Sequence, residues 1–132
     1  MGATVVSQTA PTTVSDTTAT TLFVLPAGAI INNFIVNITT AYAGTTGNTI
    51  TVKIGSTTLG TVGGATTTPL SVGRATFTIT DASIATYENV GSTDAIVTVT
   101  YACAGTASGG AASISCLYTV RGSDGVANPA SV

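Results

Sequence analysis

The chain has 132 residues, only 6% of them charged, and a formal net charge of -2 at pH 7. A typical soluble domain is about 25% charged, so hydroxyl groups, small side chains and backbone must cover most of this surface. Three basic residues are too few to line a phosphate-binding groove, and no apolar run approaches the roughly 18 residues of a membrane-spanning helix, so we expect neither nucleic acid nor a membrane as a partner.

The most abundant residue type is threonine, whose β-branched side chain favours pleated strands over helices. A chain of this length fits one domain and can bury roughly two-thirds of its unfolded surface, so it can fold without a metal ion or a disulfide. Residues 1–11 contain neither the basic region nor the apolar run of a secretory signal. We therefore expect synthesis in a cytoplasm, where thiols start out reduced.

Residues 1–19 are rich in threonine and serine and alternate only weakly between apolar and polar positions. Such a segment buries too little apolar surface to offset an ordering cost of about 1–2 kcal/mol per residue, and Pro11 interrupts any long strand. We predict an extended N-terminal arm, with one short strand at residues 4–8, that binds a neighbouring subunit or the shell of an assembly by strand addition more than it contributes to its own domain. That domain is predicted to span residues 20–121, and residues 122–132 form a polar tail.

From residue 20 onward, short alternating segments are separated by glycine and proline turns at the spacing of a sandwich or barrel. In one of these segments, Phe34, Val36 and Ile38 share a face. The dipeptide Gly55-Ser56 separates two others by two residues, which predicts a tight hairpin. The strands predicted in this part of the chain span residues 21–25, 30–39, 49–54, 57–62 and 74–80.

In the last of these strands, Ala75, Phe77 and Ile79 alternate with polar residues and are expected to face inward. Residues 81–91 are the least strand-like stretch and hold either a short strand or a helical turn around residues 84–87. The sequence pattern predicts no helix of ordinary length in any part of the chain.

Residues 95–103 and 113–121 alternate again and are joined by a small, glycine-rich segment, which predicts a closing hairpin. If Cys103 lies opposite Cys116, then Tyr101 faces Tyr118 and every inward pair is apolar. A slip of one residue would place these side chains opposite threonine and serine, so the pattern favours this register. About eight strands result. The predicted fold class is an all-β, antiparallel two-sheet β-sandwich of jelly-roll type.

Histidine is absent, which removes the commonest general base and the commonest metal ligand. A glycosidase would need two carboxylates in one cleft, but Asp94 and Asp124 lie in glycine- and serine-containing turns, where aspartate commonly bonds its own backbone, and Asp81 follows a strand and is expected to cap the next segment. We therefore expect no enzymatic activity, no cofactor and no metal site.

The two cysteines, Cys103 and Cys116, are a possible cross-strand pair, either as buried thiols or as a disulfide. A catalytic or metal-binding role is disfavoured without histidine. Tyr101 and Tyr118 are interpreted as core residues, whereas Tyr42 and Tyr87 lie near predicted loops and are candidates for contact with a partner.

Three stretches together resemble a known class of protein. They are residues 25–31 (LPAGAII), 36–42 (VNITTAY) and 47–55 (GNTITVKIG), followed by Tyr87-Glu88 and residues 95–101. This order is similar to that of small tailed-bacteriophage virion proteins that resemble capsid decoration, or cement, proteins. The resemblance covers about residues 20–102 and consists of strand and turn residues without a catalytic group.

This resemblance implies a β-sandwich that trimerises on a capsid, contacts the major capsid protein and is located in the virion after synthesis in the host cytoplasm. The alternative is a non-catalytic binding module, for carbohydrate or a receptor, on a phage fibre or cell surface. Carbohydrate modules usually present aromatic platforms to sugar rings, and this chain has no tryptophan and 5% aromatic residues.

Overall fold

The computed structural model describes residues 5–43, 46–64 and 70–120, which form two antiparallel β-sheets packed against each other. In chain order the strands are β1 (Val5–Thr13), β2 (Thr20–Leu25), β3 (Ile30–Thr40), β4 (Thr46–Ile54), β5 (Thr57–Gly63), β6 (Gly73–Ala75), β7 (Thr78–Ile79), β8 (Ala95–Ala104) and β9 (Ala111–Thr119). One sheet has the order β1-β9-β3-β6 and the other the order β2-β8-β4-β5-β7. The predicted all-β, two-sheet antiparallel sandwich is confirmed.

The described residues contain nine strands rather than the expected eight, because the predicted strand over residues 74–80 is divided. β6 pairs with β3 in the four-stranded sheet, whereas β7 pairs with β5 in the five-stranded sheet. The chain therefore crosses between the sheets at residues 76–77. The prediction that Ala75, Phe77 and Ile79 face inward is wrong for Ile79, which is 42% exposed, whereas Ala75 and Phe77 are half-buried and pack against the core.

A short helical segment follows β7, as one of the two alternatives for this stretch predicted. A 3₁₀ turn at Asp81–Ser83 leads into helix α1 (Ile84–Glu88). The hydroxyl of Ser83 donates hydrogen bonds to the carbonyls of Thr80 (2.6 Å) and Leu59 (3.2 Å). This segment is thereby attached to β5.

The predicted hairpin at Gly55-Ser56 is confirmed, with Ile54 opposite Thr57. Gly55 has a φ of 57°, and no described residue other than glycine has a positive φ. A positive φ at the first central residue alone is typical of type II′ turns, whose twist matches that of the flanking strands.

The antiparallel pairs are nested along the chain: β1 pairs with β9, β2 with β8, β3 with β6 and β4 with β5. This is the pattern of a long antiparallel ribbon that is folded at the β4–β5 turn. The ribbon then curls, because β9 also pairs with β3 and β8 also pairs with β4. The core lies between the two sheets and includes the fully buried side chains of Val36, Ile50, Val52, Val97, Val99 and Ile114.

The structure corrects the prediction of an N-terminal arm, because residues 5–13 form edge strand β1 of the chain's own sheet. β1 pairs with β9 without a register shift, from Val5 opposite Thr119 to Thr13 opposite Ala111. The backbone hydrogen bonds of this ladder and the burial of Thr12 compensate the ordering entropy that composition alone appeared unable to offset. The predicted tail, residues 122–132, lies outside the described residues.

Gln8 joins the edges of the two sheets. Its side-chain amide donates hydrogen bonds to the carbonyl of Val24 on β2 and to the hydroxyl of Tyr118 on β9, each 2.9 Å long. β1 therefore binds to the neighbouring sheet as well as to β9, and it helps to hold the two sheets together.

We expect replacement of Gln8 by alanine to lower the free energy of unfolding by about 1–3 kcal/mol, because two hydrogen bonds are lost. The matched control is Ser7→Ala, on the exposed face of the same strand, which should change stability by about 0.5 kcal/mol or less. Urea denaturation of both variants measures the difference. Equal stabilities would show that the two Gln8 side-chain hydrogen bonds contribute nothing at this seam.

A second test concerns the place where the chain crosses between sheets. A Cβ atom on Gly60 would lie about 2.5 Å from the Phe77 ring and from the Thr78 carbonyl, so Gly60→Ala must displace β7. We expect a loss of about 1–3 kcal/mol from this overpacking. At Gly109, a Cβ meets nothing within 4 Å, and Gly109→Ala should be neutral in the same thermal or urea unfolding experiment.

Candidate interaction surfaces

The structure places Cys103 and Cys116 in different sheets, which corrects the predicted closing hairpin. Cys103 lies on β8, which pairs with β2 and β4, and Cys116 lies on β9, which pairs with β1 and β3. The segment between β8 and β9 is therefore a crossover from one sheet to the other. Both thiols are free, and they do not form a cross-strand pair.

The two thiols have different surroundings. Cys116 is fully buried in the core, and this burial raises its pKa from 9.0 to about 12. Cys103 is half-buried near the end of β8, and its thiol donates a hydrogen bond to the Gly105 carbonyl at 3.3 Å.

Tyr42 and Tyr87, the two candidate partner contacts, are both buried, so this prediction is corrected as well. Tyr42 is fully buried against the Tyr101 ring at a centroid distance of 4.9 Å, and its hydroxyl donates to the Thr12 carbonyl. Burial raises the pKa of Tyr42 to about 12. The Tyr87 hydroxyl donates to the Leu59 carbonyl at 3.1 Å, and burial raises its pKa also. Both tyrosines are structural.

The connections that gather around Tyr42 define one end of the sandwich, which we call the Tyr42 end. Here the backbone of Val14 bonds to Gly110 and that of Ala43 bonds to Gly109. The carboxylate of Asp16 accepts hydrogen bonds from the Thr12 hydroxyl (2.7 Å) and the Thr13 backbone (2.8 Å). Asp16 thus stabilises the turn that follows β1.

A cavity of about 470 Å³ lies at the Tyr42 end. None of the residues that line it is a carboxylate or a cation, and its ionisable groups are the Tyr101 hydroxyl and the Cys103 thiol. Burial raises the pKa of Tyr101, and its hydroxyl bonds to the Asn48 side chain at 2.5 Å. The lining therefore offers no acid–base pair. It comprises Val14, Thr17, Tyr101, Ala102, Cys103, Gly105, Thr106 and Ala107.

Three acidic residues lie in the connection between β7 and β8, at the opposite end. Asp94 accepts a hydrogen bond from the Ala27 backbone at 3.0 Å and so fixes the turn between β2 and β3. Asp81 begins the 3₁₀ turn, where an acidic residue is favoured. Over residues 5–43, 46–64 and 70–120, the structure contains no cluster of three histidine, cysteine or acidic side chains that could hold a metal ion. No helix in those ranges is long and apolar enough to cross a bilayer.

The outer side of the five-stranded sheet presents rows of threonine, and we call it the threonine face. Thr51 on β4 lies between Thr61 on β5 and Thr100 on β8, and Thr61 lies beside Thr78 on β7. A second row places Thr58, Lys53, Thr98 and Thr21 on neighbouring strands. Lys53 is the one charged residue in these two rows.

One edge of the threonine face is apolar. Val24 on β2 and Ile96 on β8 are directly opposite each other and are 45% and 52% exposed. Their alternation with the buried Phe23, Leu25 and Val97 sends them outward. The threonine face is therefore short-chained and nearly uncharged, with an exposed hydrophobic pair at its edge.

Comparison with known proteins gives one likeness of fold. No protein-family model matches the chain, and no curated protein sequence matches it. A chain of the cyanophage Pam1 capsid asymmetric unit superposes with a TM-score of 0.50 at 18% sequence identity. The likeness covers 89% of this chain and 85% of that chain, so it concerns the whole sandwich and not one motif.

The burial of the Cys116 thiol can be tested through the pH dependence of the free energy of unfolding. The unfolded thiol ionises above pH 9, whereas Cys116 in the folded protein stays neutral to about pH 12. The unfolded state therefore loses its proton first, and stability falls as pH rises through this window. When the pH is raised from 7 to 10, the free energy of unfolding should fall by about 1.4 kcal/mol more in the native chain than in Cys116→Val.

Urea denaturation of both proteins at the two pH values measures this difference. The buried tyrosines are present in both proteins, and the Cys116 thiol beside Tyr87 is still neutral at pH 10 in the folded protein, so the titration of the tyrosines cancels in the comparison. An identical loss of stability in the two proteins would contradict the burial of the Cys116 thiol.

Proposed function

We propose that this protein is a structural virion protein that decorates or cements a phage capsid, as a homotrimer, through surface contacts and without catalysis. The observation that carries the proposal is the likeness of the whole sandwich to a chain of the cyanophage Pam1 capsid asymmetric unit, over 89% of this chain. The strand and turn motifs that resemble decoration proteins support the same class independently. The proposed location is the virion, after synthesis in the host cytoplasm.

The strand order supports a jelly roll, a fold that occurs in viral capsid and lectin domains. With the two-residue β7 set aside, the nested pairs β1·β9, β2·β8, β3·β6 and β4·β5 are those of an antiparallel ribbon folded in half. The additional pairs β9·β3 and β8·β4 roll that ribbon into two sheets. We infer that β7 is an addition to this eight-stranded plan.

The threonine face is the surface that we propose to lie on the capsid shell. Its side chains are short, so a flat partner can approach closely, and only Lys53 in its rows would need a counter-charge or a solvated position. Val24 and Ile96 provide an apolar contact at its edge. The proposed partner is the major capsid protein, with a matching surface that is weakly charged.

Carbohydrate binding is the less favoured candidate because the chain has no exposed aromatic platform. All four tyrosines are buried, and so are Phe23 and Phe34. Phe77, the third phenylalanine, is half-buried and packs on the Phe34 ring at a centroid distance of 5.1 Å. The stacking that usually holds sugar rings would therefore need a rearrangement of the core.

The experiment uses capsids assembled from the major capsid protein of the same genome, without this chain. We expect the purified protein to co-sediment with these capsids. Thr51→Lys should weaken that binding about tenfold or more, because it places an unpaired charge at the centre of the contact. The matched control is Ser113→Lys, which adds the same side chain to the outer side of the four-stranded sheet and should bind as the native chain does.

Circular dichroism and thermal unfolding confirm beforehand that both variants are folded. Failure of the native protein to bind the capsids would overturn the decorating role. Equal binding by the two variants would instead leave that role intact and show that the threonine face is not the contact.

A further inference from the structure

The two sheets end in four edge strands, and three of these have features that natural proteins use to prevent pairing with other chains. β2 has a register shift between Thr21 and Phe23, and its Val24 carbonyl already accepts a hydrogen bond from Gln8. β6 has three residues, one of which is Arg74, and β7 has only two residues.

β1 differs from the other three edges. It has nine residues, pairs with β9 without a bulge and contains no charged side chain. Pro11 is the one protective residue in it, and this proline leaves the preceding segment, Val5 to Ala10, open for pairing. Among the described residues β1 pairs only with β9, so the other edge of this segment has no partner strand, and the exposed side chains of Val5, Ser7 and Thr9 leave the adjoining outer face open.

Pro11 also indicates which backbone groups of β1 point away from the sheet. Proline has no N–H and is accommodated in an edge strand where that position faces solvent. Since orientation alternates along a strand, the N–H and C=O groups of Val5, Ser7 and Thr9 point outward as well. The 2.8 Å contact between the Thr9 and Ser115 hydroxyls supports this assignment, because side chains approach more closely in pairs that exchange no backbone hydrogen bonds.

We propose that β1 pairs antiparallel with β1 of a second copy of this chain, with Ser7 on the two-fold axis. Val5 then faces Thr9 of the other copy, and each facing pair exchanges both of its backbone hydrogen bonds. The segment is self-complementary because its free groups are spaced symmetrically about Ser7. No charges oppose each other, and Pro11 lies outside the paired segment.

A second copy supplies a partner strand of the same length, with no bulge and no charged side chain, so nothing on either strand opposes the pairing. The two four-stranded sheets become one continuous sheet that crosses the contact, which is the mode of strand addition. The contact has two-fold symmetry, so it cannot close a trimer. It would double whichever assembly the chain forms, and it does not depend on the proposed virion role.

The test is Ser7→Pro, which removes the outward N–H at the centre of the pairing and leaves the ladder to β9 intact. Ser7→Ala is the matched control, because it removes the hydroxyl and keeps the N–H. By analytical ultracentrifugation we expect the native chain and Ser7→Ala to show a concentration-dependent doubling of mass. Ser7→Pro should weaken this association about tenfold or more, because each copy loses a central hydrogen bond.

Amide hydrogen exchange gives a residue-level readout on the same samples. In the native chain, protection of the Ser7 and Thr9 amides should rise with protein concentration, while the buried strands show no such dependence. If Ser7→Pro does not fold, Ser7→Lys replaces it: the two lysines would face each other across the axis, and added salt should partly restore the doubling.

Two results would overturn the proposal. One is a native chain whose mass never doubles and whose Ser7 amide exchanges at the same rate at every concentration. The other is a doubling that Ser7→Pro and Ser7→Lys leave unchanged. If in this second case Ser7→Pro also loses capsid binding, the edge belongs to a contact with the capsid protein.

Discussion

The rest of the structure depends on the insertion of the last strand, β9, between the first and the third. β9 pairs with β1 on one side and with β3 on the other, so the four-stranded sheet cannot form until both ends of the chain have come together. β8 makes the equivalent insertion between β2 and β4 in the other sheet. Contacts this distant in sequence require loop closure before they contribute stability. Formation of each sheet is therefore coupled to the pairing of strands from the beginning and the end of the described chain.

Because the chain has few charged residues, its turns and the seam between its sheets are held by hydrogen bonds of polar side chains. Asp16 and Asp94 each accept from backbone amides, and Gln8 links two strands of different sheets. The hydroxyl of Tyr42 bonds to the backbone of β1. These bonds lie at the ends and seams of the sandwich, away from the threonine face.

Alternation in the sequence predicted which side chains face the core but could not specify which strands pair. Val99, Tyr101 and Cys103 do face inward, and so do Cys116 and Tyr118, as the pattern indicated. Two strands that face each other across a sandwich show the same inward pattern as two strands of a hairpin, so the sequence favoured a hairpin where the chain in fact crosses between sheets. The Gly55-Ser56 hairpin was predictable because its two-residue turn leaves no room for a crossover.

The positions of β1 and Tyr42 could not be predicted for a related reason, because both depend on contacts with distant parts of the chain. β1 gains its ladder from β9, more than a hundred residues later in the sequence. Tyr42 is near a predicted loop, but its ring packs on that of Tyr101 and lies in the core. The sequence indicated the threonine rows only as composition, because their alignment depends on the registers between β4, β5 and β8.

The pairing of Val5 with Thr119 also places the first residue of β1 beside the last residue of β9. A peptide fused before residue 5 and one fused after residue 119 would leave the domain side by side, far from the Tyr42 end. Domains with adjacent termini tolerate insertion and circular permutation well. This sandwich could therefore be inserted as one unit into a surface loop of a host protein, with both connections made through a single opening.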